Sequence, residues 1–117
     1  MIPINLRLTA QEVRYALKKG DSMSSELFIV RYLKNTEEQN SKFAVITSNK
    51  LSPKAVERNL IRRRTYEAIR LKKDDNVKCK LVLIPKKKML KAEYKNIEDD
   101  ITNIFTQLKQ NGQKISA

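Results

Sequence analysis

The stretch from Lys50 to Lys73 constrains the fold most, because only one side of a helix with this much charge can dock on a core. It contains nine basic residues and only two acids. An α-helix turns by about 100° per residue, so side chains four positions apart form a slowly drifting row. The predicted cationic row is Lys54, Arg58, Arg62, Tyr66 and Arg70, and the predicted core-facing row is Val56, Leu60, Ala68 and Leu71. The cationic face would offer fixed charges to a polyanion, which points to nucleic acid.

Apolar runs on both sides of the basic helix predict β-strands. Glu26–Leu33 and Lys42–Thr47 precede the helix and are close enough to pair as a hairpin with a loose loop. Lys78–Ile84 follows it as a third strand. Ser52 and Pro53 predict where the helix begins, with the serine as cap and the proline as its first residue.

Two further helices are predicted near the ends of the chain. Thr9 and Glu12 have the spacing of a capping box, which predicts a first helix running to about Lys19. A last helix is expected over residues 91–109, where apolar side chains recur at helical spacing, and Gly112 would end it. This helix also carries the acidic cluster Glu98, Asp99 and Asp100.

The order helix, two strands, helix, strand, helix indicates an α+β fold with helices packed on a mixed sheet. The segment Ile2–Leu8 adds a weak edge-strand signal. The 117 residues fit a single domain with its own core, here a single RNA-binding domain spanning 1–117. A strand–helix–strand unit of this kind normally crosses over right-handedly.

The charge balance favours an RNA or DNA partner over a membrane. The net charge is +12 and the pI is about 10.0, which favours polyanions. A membrane-lying helix needs aromatic residues at its edges, and the chain has no Trp. One cysteine, Cys79, and no segment resembling a signal peptide or a transmembrane span predict a reducing, cytoplasmic location.

The residues needed for stand-alone catalysis are scarce. The chain has no histidine and one cysteine, which excludes Ser/His and Cys/His nucleophiles and the usual zinc sites. Asp74 and Asp75 are expected to lie in a turn. The acids at 98–100 are expected on the solvated surface in the first half of a helix, where they favour the helix dipole. We therefore expect no catalytic residue and no metal held by the protein.

Within the basic helix, residues 54–70 read KAVERNLIRRRTYEAIR, which resembles the signature of the bacterial ribonuclease P protein subunit. The shared features are a small residue and valine, a variable residue, Arg-Asn, a basic cluster and a glutamate. Residues 45–50 also resemble the family's strand that ends in serine before a basic turn. Length, charge and element order agree along nearly the whole chain.

The resemblance implies an α/β sandwich with a four-stranded mixed sheet, related to a ribosomal-protein domain. It also implies a left-handed crossover in place of the right-handed default. Family members bind the catalytic RNA of ribonuclease P and help it remove the 5′ leader from precursor tRNA. The chemistry is implied to belong to the RNA and its bound Mg²⁺, so the protein would be a non-catalytic cofactor of this endoribonuclease, with no protein partner inferred.

Carried over by position, Arg58 and Asn59 match the Arg-Asn pair that faces the catalytic RNA. Glu67 matches the family's acid and is expected to orient a neighbouring cation. Leu60 departs from the pattern, because the family's third position is usually a cation. The full set of predicted RNA-binding residues is Lys50, Lys54, Arg58, Asn59, Arg62, Arg63, Arg64 and Arg70.

The resemblance also implies a cleft between the first helix and the sheet that takes the single-stranded leader. The family often has aromatic residues on that helix, where this chain has Val13 and Leu17. Stacking would then fall to the aromatic residues Phe28, Tyr32 and Phe43 on the strands, with Tyr15 nearby. The predicted leader-binding set is Val13, Arg14, Leu17, Phe28, Arg31, Tyr32, Lys42, Phe43 and Ser48.

Two other functions compete with this interpretation. A ribosomal or other structural RNA-binding protein of similar fold would bind RNA without promoting cleavage. A protein-only nuclease would use Asp99 and Asp100 with a metal ion, and purified protein alone would then cleave RNA. Processing of precursor tRNA with the cognate RNA separates the first alternative from the ribonuclease P interpretation.

Overall fold

A computed structural model of the chain describes residues 6–34, 41–74 and 77–116, with side chains to Gln110. It combines three α-helices, one 3-10 helix and four strands within these residues. In chain order they are α1 (Ala10–Lys19), β1 (Asp21–Ser24), β2 (Phe28–Lys34), β3 (Lys42–Val45), α2 (Ala55–Lys72), β4 (Cys79–Pro85), the 3-10 helix (Lys87–Lys91) and α3 (Tyr94–Ser116). None of the helices in the described residues is long and apolar enough to cross a membrane.

The four strands form one mixed sheet in the order β1-β2-β4-β3. β2 pairs antiparallel with β1 and β4, and β3 pairs parallel with β4. The expected α+β class with a four-stranded mixed sheet is confirmed, and the left-handed crossover remains a prediction. The predicted hairpin between β2 and β3 is wrong, because β4 lies between them. The chain passes through α2 before β4 enters the sheet, so the pairing of β2 depends on a distant segment.

The two faces of the sheet bury different helices. Phe28 of β2 and Leu81 of β4 are buried in the same cluster as Ile69 of α2 and several α3 side chains. On the opposite face, Ala16 of α1 packs in a smaller cluster with Ala44 of β3 and Val82 of β4. Successive side chains of a strand point to opposite faces, so β4 is buried on both. α1 therefore covers one face of the sheet, and α2 and α3 cover the other.

β1 was not predicted from the sequence. Its four residues, DSMS, are mostly exposed, and they lack the β-branched and aromatic side chains that favour strands. The strand exists because its backbone pairs with β2, from Asp21 opposite Tyr32 to Ser24 opposite Ile29. Met23 alone packs against the core, so β1 is a polar edge strand.

The helix boundaries agree with the local signals in one case and depart from them in two. The capping box of α1 is confirmed: Glu12 N–H donates to Thr9 Oγ1 at 3.2 Å, and Thr9 N–H donates to Glu12 Oε1 at 3.0 Å. α2 begins at Ala55, not Pro53, and its N-cap is Lys54, whose backbone is extended. The buried Ser52 lies in the connection before it, where its hydroxyl accepts from Lys54 N–H at 3.1 Å. α3 continues through Gly112 to Ser116, so the predicted end is wrong.

The predicted edge segment Ile2–Leu8 falls partly outside the described residues. The part that is described lies along β3. Arg7 forms a parallel bridge with Phe43, and Leu8 N–H donates to the Phe43 carbonyl at 2.9 Å. The segment therefore contacts the free edge of β3 at this point.

Gly20 is required where α1 meets β2, and Gly20→Ala tests this contact. A Cβ at this position would lie 2.5 Å from the Ala16 carbonyl oxygen and 2.9 Å from that of Tyr32. Both are backbone atoms that cannot move aside alone. We expect Gly20→Ala to lower the free energy of unfolding in urea by about 2 kcal/mol. The neighbouring exposed change Lys19→Ala should stay within about 0.5 kcal/mol of the wild type, and equal stability of both variants would contradict the expectation.

Candidate nucleic-acid interface

The face of α2 that packs on the core differs from the predicted one. Its buried residues are Ile61, Thr65, Tyr66, Ala68 and Ile69. Of the predicted core-facing row, Ala68 is buried, but Val56 is 80% exposed and Leu71 is 50% exposed. The buried side is set by Ile61 and Ile69, eight positions apart. The arrangement of α3 and β3 around the helix selects this side, and the helix sequence alone does not contain that information.

The predicted cationic row along α2 is interrupted. Each step of four residues rotates by about 40° around the helix, so the row crosses from one side to another. Arg58 and Arg62 are half-buried at the edge of the core. Tyr66 lies within it, where its hydroxyl accepts from Val45 N–H at 3.2 Å. Arg70 is exposed again. The row is therefore two cationic patches separated by a buried tyrosine.

The outward face of α2 carries Asn59, Arg63 and Arg70, which are spaced four and seven positions apart and so lie in line. Arg64 is also exposed, on one flank. Among the described residues neither Arg63 nor Arg64 has a hydrogen bond or ion pair. The carbonyl oxygen of the Asn59 side chain accepts from Arg62, which leaves its NH₂ group to donate outward.

The loop before α2 carries two further predicted cations, Lys50 and Lys54, and both are exposed. A turn from Ser48 to Leu51 holds the exposed Lys50, with Leu51 N–H donating to the Ser48 carbonyl at 3.0 Å. Arg58 Nη1 donates to the carbonyl of Ser52 at 2.8 Å. This bond ties the first turns of the helix to the loop, so Arg58 serves the fold as well as the surface charge.

Arg70 differs from the other exposed arginines because it is paired. Its Nε donates to Glu67 Oε2 at 3.2 Å. That hydrogen bond lowers the pKa of Glu67 and raises the pKa of Arg70. The expectation that Glu67 orients a neighbouring cation agrees with this geometry. Arg70 therefore reaches solvent in a fixed orientation, with part of its charge balanced.

The second predicted surface lies between α1 and the sheet. Val13, Leu33 and Ile84 are partly buried there around the small core of α1. Leu17 is 38% exposed at its edge. Arg31, on the same sheet face, donates from Nη2 to the Leu17 carbonyl at 2.9 Å. This arginine fixes the end of α1 to β2.

The strand aromatics predicted to stack on the leader belong to the opposite face. Phe28, Tyr32 and Phe43 are 0%, 7% and 1% exposed, in the core beneath α2 and α3. The Phe43 ring meets the Phe105 ring edge to face, with centroids 6.0 Å apart. This is a correction to the predicted leader-binding set, because buried rings cannot stack on bases.

Ile29 occupies the place on the α1 side of the sheet that the aromatics were expected to fill. It is 41% exposed, although it stands between the buried Phe28 and Val30. The period of two in a strand would have identified it, since its neighbours are the larger core candidates. Of the other predicted residues, Arg14 and Ser48 are exposed.

A small cluster of charges joins α1 to the two parallel strands. Glu12 Oε2 lies 3.1 Å from Lys80 Nζ and 3.9 Å from Lys42 Nζ. Lys80 stands opposite Lys42 in the register of β3 and β4, and sequence reasoning missed it. The Thr9 backbone N–H, and after it Lys80, hold the pKa of Glu12 below its ordinary value.

The described residues contain no group of three or more acidic or cysteine side chains arranged to hold a metal ion. Asp100, which the nuclease alternative requires, is buried. Its Oδ2 accepts from the Ser25 hydroxyl at 2.6 Å and from Leu27 N–H at 3.1 Å. This carboxylate holds the β1–β2 connection against α3.

Comparison with known proteins decides the family. The sequence model of the Ribonuclease P family matches residues 5–109. The chain is a member of the ribonuclease P protein component family. It is 32% identical over 97 residues to the ribonuclease P protein component of Clostridium botulinum (strain Langeland / NCTC 10281 / Type F), covering 81% of this chain and 86% of that protein. The resemblance seen in the basic helix is confirmed.

Further family members agree in sequence and in fold. The component from Coxiella burnetii is 29% identical over 90 residues, covering 77% of this chain and 74% of that protein. The RNase P protein of Staphylococcus aureus has a TM-score of 0.76 at 22% identity, over 89% of this chain and 95% of that one. That of Thermotoga maritima has a TM-score of 0.74 at 23% identity, over 86% and 96%. These structures establish the fold.

Glu12→Gln tests the cluster that joins α1 to the sheet. The pKa of Glu12 lies below its ordinary value of 4.5, so the folded protein binds this proton less readily than the unfolded chain. The carboxylate therefore stabilises the fold above pH 4.5 and loses that effect as pH falls through the lower folded pKa. We expect Glu12→Gln to cost about 0.5–1 kcal/mol at neutral pH in urea unfolding, and nothing in strong acid. A deficit that persists in acid, or that also appears in Glu93→Gln, would contradict this.

Arg58→Ala and Arg63→Ala separate the two kinds of arginine on α2. Arg58→Ala removes the donor to the Ser52 carbonyl and should lower the free energy of unfolding by about 1–2 kcal/mol. Arg63→Ala removes an exposed side chain without a partner in the described residues and should change it by less than about 0.5 kcal/mol. Urea unfolding of both variants checks this, and equal losses would show that the bond to Ser52 contributes nothing.

Proposed function

We propose that the chain is the protein subunit of ribonuclease P and binds the catalytic RNA through α2 and the loop before it. The observation that carries the proposal is the outward face of α2, where Arg63 and Arg64 have no counter-charge in the described residues. Planar guanidinium groups bind phosphate oxygens through two parallel hydrogen bonds. Asn59 adds a donor for a phosphate, a sugar or a base edge.

The proposal assigns the chemistry to the RNA and its bound Mg²⁺, as the resemblance implies. The protein would contribute charge, because each cation near the RNA backbone releases counterions and lowers phosphate repulsion. The RNA would then need less Mg²⁺ to reach its active conformation. This division of labour is consistent with a carboxylate at Asp100 that is engaged in structural hydrogen bonds.

The cleft between α1 and the sheet is the proposed site for the leader of precursor tRNA. Support comes from the exposed aliphatic side chains of Leu17 on α1 and Ile29 on the sheet face that α1 covers, and from the cations Arg14, Arg31 and Lys42 on α1, β2 and β3. Without exposed strand aromatics, the leader would rest on aliphatic side chains and be held chiefly by contacts to phosphate. Such contacts carry little sequence information, so leader recognition here would depend weakly on sequence.

Binding the leader would favour substrate over product. Mature tRNA lacks the leader, so contacts in the cleft would strengthen precursor binding and be lost after cleavage. The protein would thereby raise affinity for the precursor without retaining the product. Contacts from α2 to the catalytic RNA would keep the cleft in place during this cycle.

The first experiment is cleavage of precursor tRNA by the cognate catalytic RNA at low Mg²⁺, with and without protein. We expect strong stimulation by the wild type and most of it lost in Arg63→Ala/Arg64→Ala. Five neutralised phosphates predict a slope of roughly −3.5 to −4.5 for log affinity against log salt, and the double variant should make it shallower by roughly 1.5. Lys95→Ala/Lys109→Ala, which removes two exposed charges from α3, is the charge-matched control.

The outcomes separate the alternatives. Tight RNA binding without stimulation would overturn the ribonuclease P proposal in favour of a structural RNA-binding protein. RNA cleavage by the protein alone, abolished in Asp99→Ala, would favour the nuclease. Equal effects of Arg63→Ala/Arg64→Ala and Lys95→Ala/Lys109→Ala would mean that total charge matters and the outward face of α2 does not.

A further inference from the structure

A groove between the β1–β2 connection, the 3-10 helix and α3 is unused by the proposed function. It encloses about 350 Å³, and a second concavity that shares Glu26, Asp100 and Asn103 extends it along α3. We call this the α3 groove. The lining side chains used below are Glu26, Lys88, Lys91, Asn96, Asp99 and Asn103.

The walls of the α3 groove are held in place by hydrogen bonds. Asp100 accepts from the Ser25 hydroxyl and from Leu27 N–H, the residues on either side of Glu26. Lys86 Nζ donates to the Ser25 carbonyl at 2.6 Å from the other side. Glu26 is therefore presented from a connection bonded to both α3 and the end of β4. A site with fixed walls loses little conformational freedom when it binds a ligand.

The polar groups of the α3 groove are divided by charge. Lys88 and Lys91 are exposed on the 3-10 helix and have no ion pair among the described residues. Glu26 and Asp99 supply carboxylates, which accept hydrogen bonds and cannot donate when ionised. Asn96 accepts from Glu93 N–H at 3.0 Å, which leaves its NH₂ group as a donor. The groove thus has cations on the 3-10 helix, and exposed acceptors and amides on α3 and the β1–β2 connection.

This distribution matches a nucleotide with an amino-bearing base. The phosphate suits the lysines, and the guanine edge offers adjacent N1–H and N2–H donors to a carboxylate. Uracil presents one N3–H donor between two carbonyl oxygens, so it can make only one hydrogen bond to a carboxylate, which its oxygens repel. Ligand pockets span roughly 300–1,000 Å³, so a groove of about 350 Å³ holds one nucleotide and excludes a duplex.

We propose that the α3 groove binds one unpaired guanosine of an RNA strand, with its phosphate at Lys88 and Lys91 and its base edge at Glu26. The proposal rests on the proposed function only in taking RNA as the partner. The strand could come from the catalytic RNA or from precursor tRNA, because the same chemistry recognises both. The groove is formed by α3, the 3-10 helix and the β1–β2 connection, so it is separate from the outward face of α2.

NMR titration of the full-length protein with nucleoside monophosphates tests base recognition directly. GMP should shift the amide signals of Glu26, Asn96 and Asn103, UMP should shift them far less, and inorganic phosphate should affect only the lysine side. Glu26→Gln should weaken GMP binding by about tenfold, the size of one lost two-bond base contact, and Glu93→Gln should leave it unchanged. Lys91→Gln should weaken binding of both nucleotides, with Lys95→Gln as its control. Equal shifts by GMP, UMP and phosphate would overturn the proposal.

RNA binding distinguishes the two sources of the strand. If Glu26→Gln lowers the affinity of the protein for the catalytic RNA and leaves binding of precursor tRNA unchanged, the catalytic RNA fills the α3 groove. If it lowers affinity of the holoenzyme for precursor tRNA only, the substrate does. Unchanged affinity for both RNAs would overturn an RNA occupant even if GMP binds. The GMP titration does not require ribonuclease P activity, so its failure is distinguishable from failure of the proposed function.

Discussion

The burial of β4 on both faces is the constraint on which the rest of the structure depends. Leu81, Val82 and Leu83 are 1%, 0% and 2% exposed, so this strand needs a strand on each side and a helix layer on each face. β2 and β3 supply the strands. Because β3 is parallel to β4, a crossover is required, and α2 provides it. The cationic helix is therefore placed on one side of the sheet, and α1 on the other.

Features encoded by neighbouring residues were predictable, and features set by distant contacts were not. The capping box at Thr9 and the apolar run of β4 are local, and the structure contains both. The partner of β2 was mispredicted because β4 arrives from beyond α2. The side of α2 that faces the core was mispredicted, because Val56 and Leu71 are apolar yet face solvent. The packing of α3 against the helix selects the side of Ile61 and Ile69 instead.

In the candidate interface too, some features were predictable from neighbouring residues and others depend on distant contacts. The motif in α2 identified which residues carry charge, but the sequence assigned them a single role. In the structure Arg58 is bonded to the loop and Arg70 to Glu67, whereas Arg63 has no such partner in the described residues. These differences depend on the position of the Ser52 carbonyl and on the side of α2 from which each arginine projects. A pattern of charges along the sequence reveals neither. Phe28 and Tyr32 are buried because alternation along β2 puts both on the sheet face that packs against α2 and α3, and ring chemistry alone does not show which face that is.

Arginines that are already hydrogen-bonded within the protein would pay a different entropy cost on binding RNA from arginines that are not. A long side chain that is free in solution loses about 0.5–1.5 kcal/mol of conformational entropy when a ligand immobilises it. Arg58 is already held by the Ser52 carbonyl, so its remaining donors would meet a phosphate at smaller cost. Arg63 bears the full entropy cost but can adapt to the position of the phosphate. An interface with fixed cations at the loop and adaptable ones along the helix would set orientation first and then adjust to the RNA backbone.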